Sequence, residues 1–303
     1  MHEANANSLQ RIVLKISENS VASDVKKMSV LQLTVLTAIN MMGSGIVMLP
    51  SKLAQVGTIS ILSWVVTALG SLALAYAFSQ CGRFSRKPGG MGGYAEYAFG
   101  RSGNFMANYT YGASLLIANI AISVTAVGYA VVLFGWSLTP IEVGIATIAL
   151  LWLTMVANFG GAQTTGRIGS ITVWGVIIPV AGISVIGWFW FDPSIYAAAW
   201  NPHAMPAFQA MSASIAMTLW AFLGLESACA NAEAVDNPER NVPIAVLGGT
   251  VAAAIVYIVS TNVIAGIVPN AELAASTAPF GLAFATLFTP GVGNVIMALM
   301  IIA

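Results

Sequence analysis

Charge is scarce in this sequence. Only 7% of its 303 residues are Asp, Glu, Lys or Arg, against about a quarter in a soluble domain. The 11 basic and 11 acidic residues cancel, so no basic field exists to hold nucleic-acid phosphates. Cysteine is nearly missing, and Cys81 and Cys229 alone cannot build a disulfide framework or a four-ligand metal site. Histidine is equally rare. His2 and His203 stand far apart in polar stretches, and no His-based metal cluster is expected. These shortages exclude a soluble globular enzyme, a disordered chain and a nucleic-acid binder.

Apolar residues fill the space that charge leaves, at 58% of the chain and a mean hydropathy of +0.84. They run for stretches long enough to cross a bilayer, which takes about 20 residues in a helix. A transmembrane β-barrel would instead alternate apolar and polar residues in short strands. The expected fold class is therefore an all-α polytopic membrane protein. Seven complete spans are predicted, at 29–54, 59–80, 105–135, 142–160, 169–191, 208–232 and 243–268. An eighth begins over 290–303, too short to cross at about 1.5 Å per residue, so the chain is expected to end inside that helix. Residues 1–28 are polar and carry no cleavage signal after a short apolar core. They read as a cytoplasmic tail, with 29–303 as the transmembrane domain.

Orientation follows from the basic residues. With the N-terminus inside, Arg11, Lys15, Lys26, Lys27, Arg83, Arg86, Lys87, Arg101, Arg167 and Arg240 all fall on the inner side, and Lys52 alone on the outer. Trp188 and Trp190 at the outer end of the fifth span suit an interfacial aromatic belt.

Two spans are interrupted. NMMGSGIVMLP, residues 40–50, places Gly43-Ser44-Gly45 at mid-membrane, where each glycine weakens a helix by about 1 kcal/mol. Close helix packing and a break exposing backbone N–H groups to a cavity both fit that motif. WAFLGLESACANAEAV, residues 220–235, places Gly224 and Glu226 near the middle of the sixth span. A carboxylate there costs roughly 3 kcal/mol on insertion scales, and such a residue marks a functional site by default. Gly-interrupted spans at corresponding places in two halves point to a transporter's substrate site.

Weaker candidates surround these. Asn119 in the third span reads more readily as interhelical glue than as a ligand. Tyr111 suits either an interface anchor or a cavity. Trp220 lies too deep for a belt, leaving core packing or an aromatic wall for a cation. RKPGGMGGYAEYAFG, residues 86–100, lacks G-K-[ST] and is no P-loop. It reads as an inner loop with a short helix, in which Glu96 is a solvated charge or, more weakly, a relay for protons or gating. Cys81 and Cys229 are expected to be free, buried thiols. In DNPERNVPIAV, residues 236–246, Asp236, Glu239 and Arg240 can pair or gate on the inner side.

NMMGSGIVMLP, GGMGGYAEYAFG, LWAFLGLESACANAEAV and DNPERNVPIAVLGGT together resemble the amino acid–polyamine–organocation superfamily, in its basic amino acid/polyamine antiporter branch, over nearly all of the chain from Met28. That resemblance implies twelve helices, the first ten forming two inverted five-helix repeats, with the second repeat cut short here. It implies that Gly43, Ser44 and Gly45 are the unwound stretch whose amides hold a substrate carboxylate, with Asn40 beside them. Trp220 would cover the substrate, Glu226 would lie beneath it near Gly224, and Tyr111 and Asn119 would line the cavity.

The implied activity is exchange of putrescine for ornithine across a bacterial cytoplasmic (inner) membrane, with proton-coupled putrescine uptake as a second mode. Cadaverine/lysine and agmatine/arginine exchange are the alternatives. A cation channel is a more distant rival, because channels use rings of charge. An enzyme would need a nucleophile–base pair or a metal cluster that the spans do not supply. The partners expected are putrescine, ornithine, protons and the lipid bilayer. A second copy of the chain is allowed, no nucleic acid is involved, and no cofactor or metal is expected.

Overall fold

A computed structural model describes residues 27–85, 87, 90–226, 229 and 235–303. Most of the expected tail lies outside the described residues, with Arg11, Lys15, Lys26, Arg86 and His2.

The described residues are helical apart from turns and one isolated bridge. Helix α1 (Val30–Met41) starts at a capping box: the Ser29 Oγ accepts from Gln32 N at 3.3 Å, and Gln32 Oε1 accepts from Ser29 N at 3.0 Å. The chain breaks at Met42–Gly43 and restarts as α2 (Ser44–Ala54), bent by 45° from α1. A 3₁₀ turn (Thr58–Ser60) leads into α3 (Ile61–Phe84). Helix α4 (Met91–Phe134) bends at Gly100, where φ is 64°, so the short helix expected in the Gly-rich loop joins the third span. Helix α5 (Pro140–Asn158) opens with a second capping box, from Thr139 and Glu142. Helices α6 (Ala162–Thr172) and α7 (Trp174–Ile186) run almost end to end. After the short α8 (Pro193–Ala198) come α9 (Ala207–Trp220), α10 (Pro238–Ala265), two short helices α11 (Asn270–Ala275) and α12 (Pro279–Leu287), and α13 (Pro290–Ile302).

Among the described residues, five helices are long and apolar enough to cross a membrane, or six when the bent pair α1–α2 is one span. The sixth span expected over 208–232 is no continuous helix. Helix α9 stops at Trp220, Ala221–Glu226 form turns, and most residues from 227 to 234 lie outside the described set.

Helix α10 is the structural axis. It packs most extensively on α3 and next on α1. At Gly249 the two backbones come so close that a Cβ would stand 2.9 Å from Thr37 Cβ and 3.0 Å from Thr34 O. Where apolar faces meet lipid as readily as protein, such close contact and interhelical hydrogen bonds hold helices together. Ser63 Oγ on α3 meets Ser214 Oγ on α9 at 2.6 Å. The Tyr129 hydroxyl of α4 donates to Val47 O at 3.2 Å and accepts from Phe280 N at 3.4 Å, joining α4, α2 and α12. At the centre, Trp64, Phe222 and Tyr257 pack edge-on or tilted, with centroids 5.8–6.0 Å apart. The outer faces of α4 and α5 are broadly apolar and exposed.

The two ends of the bundle differ. At one, Met28 pairs with Val235, and Gly82 of α3 lies against Tyr94 and Val242; Arg83, Lys87 and Arg240 belong to this end. At the other, the 192–207 segment docks on Gly57. There Thr58 N and Ile59 N donate to Ala199 O and Trp200 O, each at 2.9 Å. Gly57 has φ 104°, and a Cβ would stand 2.5 Å from Pro202, so the docking requires glycine. The Cys81 side chain is exposed, correcting the expectation that both thiols are buried, whereas Cys229 is buried. In a Cys81→Ser background, cysteines placed at Lys87 and at Ser194 should react with an impermeant maleimide from opposite faces of the membrane. Labelling of both from one face would contradict the packing of α3 against α10.

Candidate substrate site

The two interruptions meet. Gly224 has φ 110°, a conformation costly for other residues. A Cβ there would lie 2.6 Å from Asn40 O and 3.2 Å from Met41 N. The sixth-span turn is thus seated on the end of α1. Gly45 is the second contact, where a Cβ would stand 3.0 Å from Ala221 Cα and 3.2 Å from Trp220 Cδ1. Both readings of the Gly43-Ser44-Gly45 motif hold, because the helix breaks at Met42–Gly43 and packs closely at Gly45. Gly43 itself has φ −94° and only Ile122 Cδ1, at 3.9 Å, near a would-be Cβ. No backbone constraint requires glycine there.

A cavity of about 500 Å³ opens beside the junction. Asn40, Gly43 and Gly45 line it from the first span, Tyr111 and Asn119 from α4, and Trp220, Gly224 and Glu226 from the sixth. Ser44 starts α2 between two of these residues, and its side chain lies outside the described set.

Among the described residues, Glu226 is the one ionisable carboxylate in the lining. Its Oε1 accepts from the Tyr111 hydroxyl and its Oε2 from Gly224 N, each at 3.0 Å. One donor per oxygen fixes the carboxylate and leaves lone pairs for an ammonium group. The N-terminus of α2 faces the same space with no side-chain cap. Its first amides lack intrahelical partners, and its dipole favours an anion. The cavity therefore offers a cation-binding group and an anion-binding group between apolar walls that include Phe78 and Leu223.

Asn119 donates to Leu115 O of its own helix at 2.8 Å. Among the described residues it makes no hydrogen bond to another helix, and it lines the cavity. Glu96 stands apart from the cavity as a solvent-accessible, ion-paired charge, in keeping with a solvated carboxylate. Lys87 Nζ approaches its Oε1 at 2.6 Å and Asn104 Nδ2 donates to its Oε2 at 2.8 Å. Both oxygens are held by neighbours outside the cavity. Ser71 of α3 was missed by the sequence reading. It is fully buried, lines the cavity, and its Oγ has no hydrogen-bond partner. The four-residue spacing of Ser63, Thr67 and Ser71 marks one face of α3, a signal that could have found it. Gly45 and Trp220 also line a second cavity, of about 710 Å³, toward the Lys52 end.

The sequence matches the family described as amino acid permease over residues 28–303. The chain belongs to the amino acid permease family. It is 73% identical over 277 residues to the putrescine transporter PotE of Escherichia coli K12, covering 91% of this chain and 63% of that protein. It is 69% identical to PotE of Haemophilus influenzae, covering 91% and 64%. Identity to the cadaverine/lysine antiporter of Escherichia coli K12 is 38% over 268 residues, covering 88% and 60%. The chain thus spans less than two thirds of the length of these relatives. For this permease family member, the all-helical multi-pass architecture and the paired breaks in the first and sixth spans stand together.

Glycines 43 and 224 separate the two constraints at the junction. Gly224→Ala forces a strained φ, worth about 1–3 kcal/mol, and drives a methyl into Asn40 O. It should lower the detergent-solubilised melting temperature by several degrees, whereas Gly43→Ala should leave it within about one degree, changes of up to about 0.5 kcal/mol being usual away from such constraints. Equal effects would show that the two breaks do not rest on each other.

Proposed function

We propose that this permease is a secondary active transporter that exchanges putrescine for ornithine across a bacterial cytoplasmic membrane, with proton-coupled putrescine uptake as a second mode. The observation that carries this reading is the single carboxylate, Glu226, held between Tyr111 and Gly224 in the cavity where both broken spans meet. Putrescine carries an ammonium at each end of an apolar chain. Ornithine carries two ammonium groups and adds a carboxylate. Glu226 takes an ammonium of either, the Trp220 ring covers the methylenes or a cationic end, and the amides at Gly43, Ser44 and Gly45 take the carboxylate when it is present. Asn40, Tyr111 and Asn119 complete the lining. The names of the 73% and 69% identical relatives support putrescine as a substrate. The 38% identical cadaverine/lysine antiporter supports the runner-up, a neighbouring diamine and amino-acid pair.

The basic residues support a cytoplasmic N-terminus, which makes the Arg83 end inner and the Lys52 end outer. Alternating access is then a rocking of one bundle against the other around the shared site. A permease of this design moves its substrate unchanged, and no chemical step is required.

The test is Glu226→Gln in the full-length protein, reconstituted in liposomes loaded with ornithine, lysine or arginine. Wild type should take up labelled putrescine in exchange for ornithine, saturably and only with a counter-substrate inside. The Gln variant keeps the size and loses the charge, and should lose at least about tenfold in kcat/KM, equivalent to about 1.4 kcal/mol, with unchanged membrane content. Glu226→Asp should keep partial activity. Parental exchange by the Gln variant overturns the site assignment, flux without a counter-substrate favours a channel, and preference for lysine favours the cadaverine pair.

A further inference from the structure

The two cavities on either side of Gly45 and Trp220 carry opposite charge. The first, reaching Phe78 and Met91 toward the Arg83 end, has Glu226 as its ionisable acid and no base in its lining. The second, reaching Val131 and Thr277 toward the opposite end, has Lys52 as its single charged residue. Lys52 lies exposed in the last turn of α2, and among the described residues it has no ion-pair or hydrogen-bond partner. Of the acids elsewhere at that end, Glu142 accepts from Thr139 N and Asp192 from Ser194 N, each at 2.7 Å, and Glu272 lies exposed in the first turn of α11; none of the three lines this cavity. A lysine at a helix C-terminus gains from the helix dipole. That benefit does not require its ammonium to line a cavity otherwise apolar or neutral.

We propose that Lys52 is a specificity-determining residue of the outer cavity: it draws in substrates that carry a carboxylate and disfavours return of the decarboxylated diamine. This rests on the exchange reading above. A dication released past Trp220 meets a fixed positive charge and is expelled. An amino acid arriving from the same side offers a carboxylate that Lys52 can pair with before the α2 amides receive it. A low-dielectric cavity wall strengthens both effects relative to open water. The arrangement makes the two sides unequal in apparent affinity, with Glu226 favouring diamine loading from the inner side and Lys52 favouring amino-acid loading from the outer.

The test measures KM for labelled ornithine and labelled putrescine in the full-length protein, each presented first at the Lys52 side and then at the Arg83 side in vesicles of known orientation. Lys52→Gln should raise the ornithine KM at the Lys52 side about two- to fivefold, the effect of losing an exposed ion pair. The putrescine KM at that side should stay unchanged or fall, and neither KM should move at the other side. Lys52→Arg should restore the wild-type values, and Lys52→Glu should reverse the preference. Equal shifts for both substrates, or shifts that do not depend on the side, overturn the proposal while leaving exchange itself standing. Wild-type protein that exchanges neither substrate removes the exchange reading and this inference with it.

Discussion

A backbone that leaves its helix inside a membrane frees N–H and C=O groups that lipid cannot satisfy. Two spans of this permease do so at the same depth, and each supplies what the other lacks. The turn at Gly224 rests against the Asn40 carbonyl end of α1, and its own N–H is taken by Glu226. Gly45 lets the start of α2 approach Ala221. The cavity, the fixed carboxylate and the uncapped helix end all follow from that mutual seating. Without it, neither break would be tolerable and no polar site would exist at that depth.

The rest of the fold keeps this junction in place. Helix α10 sits behind it against α1 and α3. The Trp64, Phe222 and Tyr257 rings anchor the residue just before the Gly224 turn. Ser63 and Ser214 hold α9 to α3 as it approaches its end at Trp220. Tyr129 holds α4, and with it the wall bearing Tyr111 and Asn119, against α2.

Much of this was legible along the chain. Scarcity of charge and long apolar runs gave a helical membrane protein, and the glycine motifs marked both breaks. The acid at mid-span declared itself by its cost, and eight of the nine residues named for the central site line one cavity, the side chain of Ser44 lying outside the described set. What was not legible is which face of each span is inside. Lipid and protein core are equally apolar. Trp64 and Trp152 therefore sit in similar sequence surroundings, yet Trp64 is fully buried and Trp152 is 61% exposed. Ser71 went unnoticed although its spacing from Ser63 and Thr67 marks one face of α3, because that spacing does not say what the face looks onto.

The sequence by itself determined where most helices form, where two of them must break, and that an acid stands at the second break, because hydropathy, glycine and capping act over one or two helical turns. Only the tertiary structure decided that the breaks touch, that Glu226 accepts from a tyrosine 115 residues away, and that a cationic and an anionic cavity meet at Gly45 and Trp220. Those relations depend on how separate helices pack, and the local periodicity of any one of them carries no record of its neighbours.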